Sequence, residues 1–98
     1  MDFTKTTNGD TLTIAPSGIL DTASAAAFET EINAVIDEAK NLIIDFAKVE
    51  YISSSGLRVL LKAQKKKSEN GCMTLTHVNE SVMEVFSLTG FNDILKIC

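Results

Sequence analysis

Polar and apolar residues alternate in two short stretches at the start of the chain. Residues 3–7 and 11–15 are rich in threonine and flank Asn8-Gly9, a dipeptide that readily adopts the positive φ angles of a hairpin turn. Pro16-Ser17-Gly18 then breaks the alternation. The pattern predicts an opening β-hairpin that ends before Pro16.

Two later stretches repeat apolar residues at the spacing of a helix with one buried face. The first spans residues 23–39 and follows Asp21-Thr22, which supplies N-cap chemistry. The second begins at the serines of residues 53–55, ends among four lysines and is closed by Asn70-Gly71. We interpret the lysines as a solvated helix end that compensates the helix dipole. They are Lys62, Lys65, Lys66 and Lys67.

Short apolar runs alternate with these helices. Residues 42–46 are almost wholly apolar, which is typical of a strand buried on both faces near the centre of a partly parallel sheet. Residues 72–76 and 94–97 have strand propensity, and between them a third helix runs from a cap at Asn79 to Gly90. The predicted order is β-β-α-β-α-β-α-β, an α/β fold with helices packed against a mixed sheet of about four to five strands.

Composition narrows the class of protein. The 98 residues suffice for one core, so a single domain over residues 1–98 is expected. A net charge of -4 disfavours nucleic acid and anionic membranes as partners. Neither a secretory signal nor a membrane-spanning run is found, which predicts a cytoplasmic protein without membrane insertion. Two cysteines and one histidine do not make a metal site, and no cofactor is expected.

Three consecutive serines and Gly56 lie where the second helix begins. The first turn of a helix has backbone N–H groups without intrahelical partners, and one serine hydroxyl suffices to cap it, while glycine relieves crowding. The same helix end carries partial positive charge, so a phosphate on Ser54 would be tolerated by the fold. Capping alone also accounts for the serines, and both interpretations stay open at this point.

The serine segment nevertheless resembles a known site. Its sequence, Tyr51-Ile52-Ser53-Ser54-Ser55-Gly56-Leu57, is similar to the Asp-Ser-Ser/Thr-Gly-Leu site of STAS domains, and of the bacterial anti-sigma factor antagonists in particular. The resemblance covers essentially the whole chain. Gly18-Ile19-Leu20-Asp21 resembles the family's Gly-Glu-Leu-Asp segment, Asp45-Phe46 its strand-ending pair, and Leu88-Thr89-Gly90-Phe91 its Ser-Gly-Leu-like tail.

The resemblance implies a partner switch. The unmodified protein would bind an anti-sigma factor that is also a serine kinase and so free a sigma factor. Phosphorylation would release that partner, and a serine phosphatase would restore binding. By carry-over Ser54 is the phosphorylation site, with Ser53 and Ser55 as alternatives. The residues expected to contact the partner are Asp21, Thr22, Ser24, Ala25, Ser53, Ser55, Gly56 and Arg58.

Two positions depart from the family's pattern. Ser53 stands where the family has an acidic residue, and Arg58 stands where a small residue often follows Gly-Leu. The loss of the carboxylate removes a charge that would repel a new phosphate. Arg58 lies one turn into the helix and offers a charge that pairs with phosphate.

Two other functions fit parts of the sequence. A hydrolase would use Ser54 as nucleophile, His77 as base and Asp45 or Asp21 as orienting acid, but the glycine of a nucleophile elbow is missing, so the chain is not expected to be an enzyme. A STAS domain also acts as a non-phosphorylated adaptor of a lipid transporter or a larger signalling assembly. Ser53 favours the adaptor, whereas the standalone length and the intact Ser-Ser-Gly-Leu favour the phosphoswitch.

Overall fold

The predicted hairpin opens the fold. In the computed structural model, which describes residues 2–69 and 71–97, β1 (Asp2–Asn8) pairs antiparallel with β2 (Thr11–Leu20), and Gly9 in the turn has a φ of 62°. The other elements are α1 (Thr22–Val35), β3 (Asn41–Asp45), β4 (Lys48–Ile52), α2 (Ser54–Lys67), β5 (Cys72–Thr76), α3 (Glu80–Thr89), a short 3₁₀ helix (Phe91–Asp93) and β6 (Lys96–Ile97). The α/β prediction is confirmed.

All pairs other than the hairpin are parallel, and β2 has neighbours on both sides. The strand order is β1-β2-β3-β5-β6, with β3 in the centre as predicted. The first half of β2 pairs with β3, and its second half, Ser17 to Leu20, pairs with β4 on the same side. The carboxyl ends of β2 and β4 therefore lie side by side.

The expected end of the hairpin before Pro16 is wrong, because β2 continues to Leu20. The register with β3 ends at Ile14 and the register with β4 begins at Ser17. Pro16 therefore lies in the gap between two partner strands, where no parallel ladder needs its missing N–H.

The sheet has six strands within the described residues, one more than the predicted order contains. The additional strand is β4, which the predicted order does not contain. Its inward residues, Val49 and Ile52, are separated by three positions instead of two, so it lacks the alternation that identifies a strand from sequence. A β-bulge opposite Gly18 and Ile19 causes this irregularity.

The core lies between one face of the sheet and the helices. Burial alternates along β3, where Leu42 and Ile44 are buried and Ile43 is only half-buried, so burial on both faces, as predicted for this strand, is not observed. The helices cover the inward face with apolar side chains spaced as expected, and the outward face is largely polar. The helical contribution to the core includes Phe28, Ile32, Leu57, Leu60, Val82 and Phe86.

Helices α1 and α2 both end earlier than the sequence predicts. Helix α1 ends at Val35, short of Ala39, and the carbonyl groups of Ile36 and Ala39 beyond its end accept hydrogen bonds from the ammonium of Lys67. Lys67 is 1% exposed, so the interpretation of all four lysines as solvated is wrong for this one. Helix α2 ends at Lys67 with Ser68 as its C-cap, while Asn70 of the predicted closing pair lies outside the described residues.

Candidate functional site

Two helices begin side by side at one edge of the sheet. Leu20 and Ile52 are register partners at the ends of β2 and β4, and the backbone N–H of Ser53 donates to the Leu20 carbonyl at 2.8 Å. The next residue of each strand is the N-cap of a helix, Asp21 for α1 and Ser53 for α2. Two helix N-termini with partial positive charge are thus fixed next to each other.

Asp21 caps α1 as the sequence predicts. Its Oδ1 accepts from the backbone N–H and the hydroxyl of Ser24, both at 3.0 Å, and the Asp21 N–H donates to Ser24 Oγ at 2.9 Å. The hydrogen bond from the Ser24 backbone N–H is the main reason that the pKa of Asp21 lies below its ordinary value. Asp21 therefore carries its negative charge at the edge where α2 also begins.

The three serines at the start of α2 have different surroundings. The Ser53 hydroxyl accepts from the Gly56 N–H at 3.4 Å, which makes Ser53 the capping serine. The Ser55 hydroxyl is half-buried and lies 3.3 Å from the hydroxyl of Thr22 in α1. Ser54 is exposed, and its hydroxyl has no hydrogen-bond partner among residues 2–69 and 71–97. Of the three, Ser54 presents the free hydroxyl.

Two residues expected to contact a partner lie beneath the surface. Gly56 is buried, and a Cβ atom there would come within 2.7 Å of Ile52 Cγ1 and 3.2 Å of Leu20 Cβ. Its small size lets α2 pack against the ends of β2 and β4. Ala25 of α1 is 3% exposed and belongs to the core. Neither Gly56 nor the side chain of Ala25 is therefore placed to contact a partner directly.

Thr22, Ser55 and Arg58 line a groove between the two helices, whereas Asp21 and Ser24 line a separate cleft. Thr22 and Ser55 lie at the head of the groove, and Arg58 and Lys62 flank it, with Lys62 paired to Glu29 at 3.4 Å. Arg58 is exposed and forms no ion pair within the described part of the chain. Arg58 comes four positions after Ser54 along α2, so both lie on the same face of the helix.

The structure does not assemble the catalytic triad of the hydrolase alternative, Ser54 with His77 and an aspartate. His77 Nδ1 lies 2.9 Å from Asp45 Oδ1 at the ends of β5 and β3, and the Asp45 carboxylate also accepts from the Ala47 N–H. Ser54 forms no hydrogen bond with this pair. Of the hydrolase alternative, the pairing of His77 with Asp45 is therefore present, whereas Ser54 is not part of it.

Residues 2–69 and 71–97 contain neither a cluster of metal ligands nor a membrane-spanning helix. There, no group of three or more histidine, cysteine, aspartate or glutamate side chains is placed to hold a metal ion. None of the helices in the same residues has the length and apolar character that crossing a membrane requires.

Two similar proteins are named as anti-sigma factor antagonists. A protein of Bordetella bronchiseptica named as an anti-sigma factor antagonist, BtrV, is 34% identical over 82 residues, which cover 82% of this chain and 71% of BtrV. The anti-sigma-B factor antagonist of Bacillus subtilis is 26% identical over 91 residues, covering 92% of this chain and 84% of the relative.

A solved structure agrees as well. The crystal structure of an anti-sigma factor antagonist from Thermotoga maritima superimposes with a TM-score of 0.89 at 26% identity, over 97% of this chain and 84% of that protein. The sequence model of the STAS domain matches residues 2–98. The chain belongs to the STAS domain family.

Proposed function

We propose that this protein is an anti-sigma factor antagonist that acts in the cytoplasm. In its unmodified state it binds an anti-sigma factor with serine kinase activity, and phosphorylation of Ser54 releases that partner. The similarity to relatives of this name supports the antagonist role and gives no support to the adaptor alternative. The observation that carries the site is the exposed, unpartnered hydroxyl of Ser54, beside a capping Ser53 and an engaged Ser55.

The chemistry at Ser54 requires nothing from this chain beyond the hydroxyl. The Ser54 oxygen bonds to the γ-phosphorus of ATP, the bond to ADP breaks, and a base of the kinase takes the hydroxyl proton. The phosphate adds about 1.5 to 2 negative charges at pH 7. At the first position of α2 this charge is favourable to the helix, so the fold is retained.

Release follows from where the new charge lies. The phosphate would face the ADP phosphates left in the kinase and the ionised Asp21 of its own chain, and the interface would have to desolvate it. A loss of about 2.8 kcal/mol already weakens binding about a hundredfold. A serine phosphatase then returns the hydroxyl and restores binding.

Intact mass spectrometry tests the site. The protein is incubated with ATP and the anti-sigma factor kinase of the same genome, as wild type and as Ser54→Ala. We expect the wild type to gain the mass of one phosphoryl group and Ser54→Ala to gain none, because the other two hydroxyls are engaged. Ser81→Ala, an exposed serine of α3, serves as the control and should gain mass like the wild type.

No mass gain in the wild type would refute the phosphoswitch. A gain that persists in Ser54→Ala would move the site to Ser53 or Ser55.

A further inference from the structure

Four large apolar side chains of the described residues are exposed, and two of them are neighbours. Ile19 and Tyr51 are each 49% exposed, and they are register partners on the parallel strands β2 and β4. Adjacent strands are about 4.8 Å apart, so the two side chains form one continuous apolar surface. We call Ile19 and Tyr51 the apolar pair.

The apolar pair exists because of the bulge in β4. Val49 is paired with Gly18 and Tyr51 with Ile19, so Glu50 is an extra residue on its strand. In a regular strand Val49 and Tyr51 would point to the same face, and Tyr51 would be buried like Val49. The extra residue turns Tyr51 to the outward face. A bulge interrupts the ladder of hydrogen bonds and commonly re-aims a side chain next to a functional site.

The apolar pair adjoins the two helix N-termini. Ile19 is two residues from the N-cap Asp21, and its carbonyl accepts from the Ser24 hydroxyl at 2.6 Å. Tyr51 precedes the N-cap Ser53 by two residues and the free hydroxyl of Ser54 by three. A protein that reaches Ser54 at this edge therefore also faces the apolar pair.

The charged residues around the apolar pair indicate which kind of protein partner would be complementary to it. Ile19 forms a wall of a cleft of about 580 Å³ whose charged lining residues are Asp2 and Asp21. Glu50 adds an exposed carboxylate, and the nearest cation on these strands is Lys48, at the start of β4. A second copy of this chain would bring the same excess of carboxylates to the contact. A partner with an apolar side chain flanked by basic ones is complementary.

We infer that the apolar pair is the anchor on which the anti-sigma factor kinase docks. The kinase packs an apolar side chain against Ile19 and Tyr51 and places basic side chains toward Asp2, Asp21 and Glu50. This inference rests on the proposed function and adds to it a contact that is separate from the phosphorylated residue. Tyrosine is among the residue types that dominate binding energy at interfaces.

Affinity measurements with the kinase test the anchor. Ile19→Ser and Tyr51→Ser are compared with the wild type by calorimetry, with circular dichroism to verify folding. Leu88→Ser is the matched control, since Leu88 is 81% exposed and lies near the C-terminal end of α3, outside the elements that carry the site. We expect each anchor variant to bind at least about tenfold more weakly and the control to bind like the wild type.

The outcomes separate the anchor from the proposed function. A wild type that does not bind the kinase overturns both. Wild-type binding and phosphorylation with unchanged affinity in both anchor variants overturn the anchor alone. Sedimentation of the free protein provides the last arm: a wild-type dimer that Tyr51→Ser dissociates would assign the apolar pair to a second copy and overturn docking of the kinase.

Discussion

The side chain of Lys67 forms hydrogen bonds at the C-terminal end of a different helix. It belongs to the last turn of α2, yet its ammonium donates to the carbonyl groups of Ile36 at 2.7 Å and of Ala39. These carbonyl groups follow α1, whose C-terminal end has no intrahelical donors for them. A buried charge is tolerated here because hydrogen bonds replace its hydration.

The Lys67→Met substitution should destabilise the fold while it keeps the volume of the side chain. We expect the free energy of unfolding to fall by about 2 kcal/mol or more, because two carbonyl groups lose their charged donor. Urea denaturation measures the change. Lys65→Met, on an exposed position of the same turn, is the control, and equal stability of both variants would contradict the role given to Lys67.

At the scale of single residues, the sequence identified helix caps better than contacts between residues far apart in the chain. The N-caps Asp21 and Asn79 follow from local rules, since each side chain bonds within its own first turn. Lys67 was correctly placed in a helix end but its partners are 28 and 31 positions away, and no local pattern marks such a contact. Which serine is the cap and which is free also depends on α1, through Thr22 and Ser55.

The start of α1 is an element whose stability should depend on pH. The pKa of Asp21 is lowered from its ordinary value of 3.8, mainly by the Ser24 backbone N–H, so the folded state favours the ionised carboxylate. Its contribution to stability is present above that ordinary value and is lost as the pH falls through the lower pKa of the folded state. Asparagine also caps helices but does not titrate in this range.

We therefore expect the stability difference between wild type and Asp21→Asn to be constant near neutral pH and to shrink below about pH 4. Urea denaturation of both proteins between about pH 2.5 and 7 checks this. The control is Asp10→Asn, in which the replaced side chain forms no hydrogen bond within the described residues. A difference that stays constant over the acid range would show that the charge of Asp21 does not support α1.

The sheet was predictable at the scale of elements except where a strand changes partners. Alternation identified β1, the first half of β2 and β5, whereas a contiguous apolar run identified β3 and placed it in the centre. The second half of β2 was not predicted, because Pro16 interrupts the pattern where β2 changes its parallel partner from β3 to β4. Strand β4 was not predicted, because the bulge at Glu50 disrupts the alternation of inward and outward residues. These two irregularities are also what forms the edge at the candidate site.

For the whole molecule, parallel strands place the starts of α1 and α2 side by side beyond the carboxyl ends of β2 and β4. Helices α1, α2 and α3 follow β2, β4 and β5, and the third is capped by Asn79, whose side-chain amide also donates to the Val49 carbonyl at 2.9 Å. In open α/β sheets, ligands bind outside the carboxyl ends of the strands. The proposed phosphorylation site and the apolar pair both lie there.

Phosphorylation should consequently alter binding without altering the fold. We expect the phosphorylated protein to unfold at a free energy within about 1 kcal/mol of the unmodified one, since the charge lies at a helix N-terminus. Amide spectra before and after the kinase reaction should differ only around the starts of α1 and α2. Widespread spectral change, or a marked loss of stability, would mean that the switch works by unfolding.

The turn between β1 and β2 lies at the opposite end of β2 from the candidate site, which makes it a suitable place for a label. Strand β2 runs from that turn to the site, which separates them by about 30 Å. Gly9 has no other group within 4 Å of the position a Cβ would occupy, so the turn is open to solvent. A fluorophore on a cysteine introduced at Asn8 would therefore report, through slower tumbling, when the opposite edge captures and releases a much larger protein, without occupying the surface that it monitors.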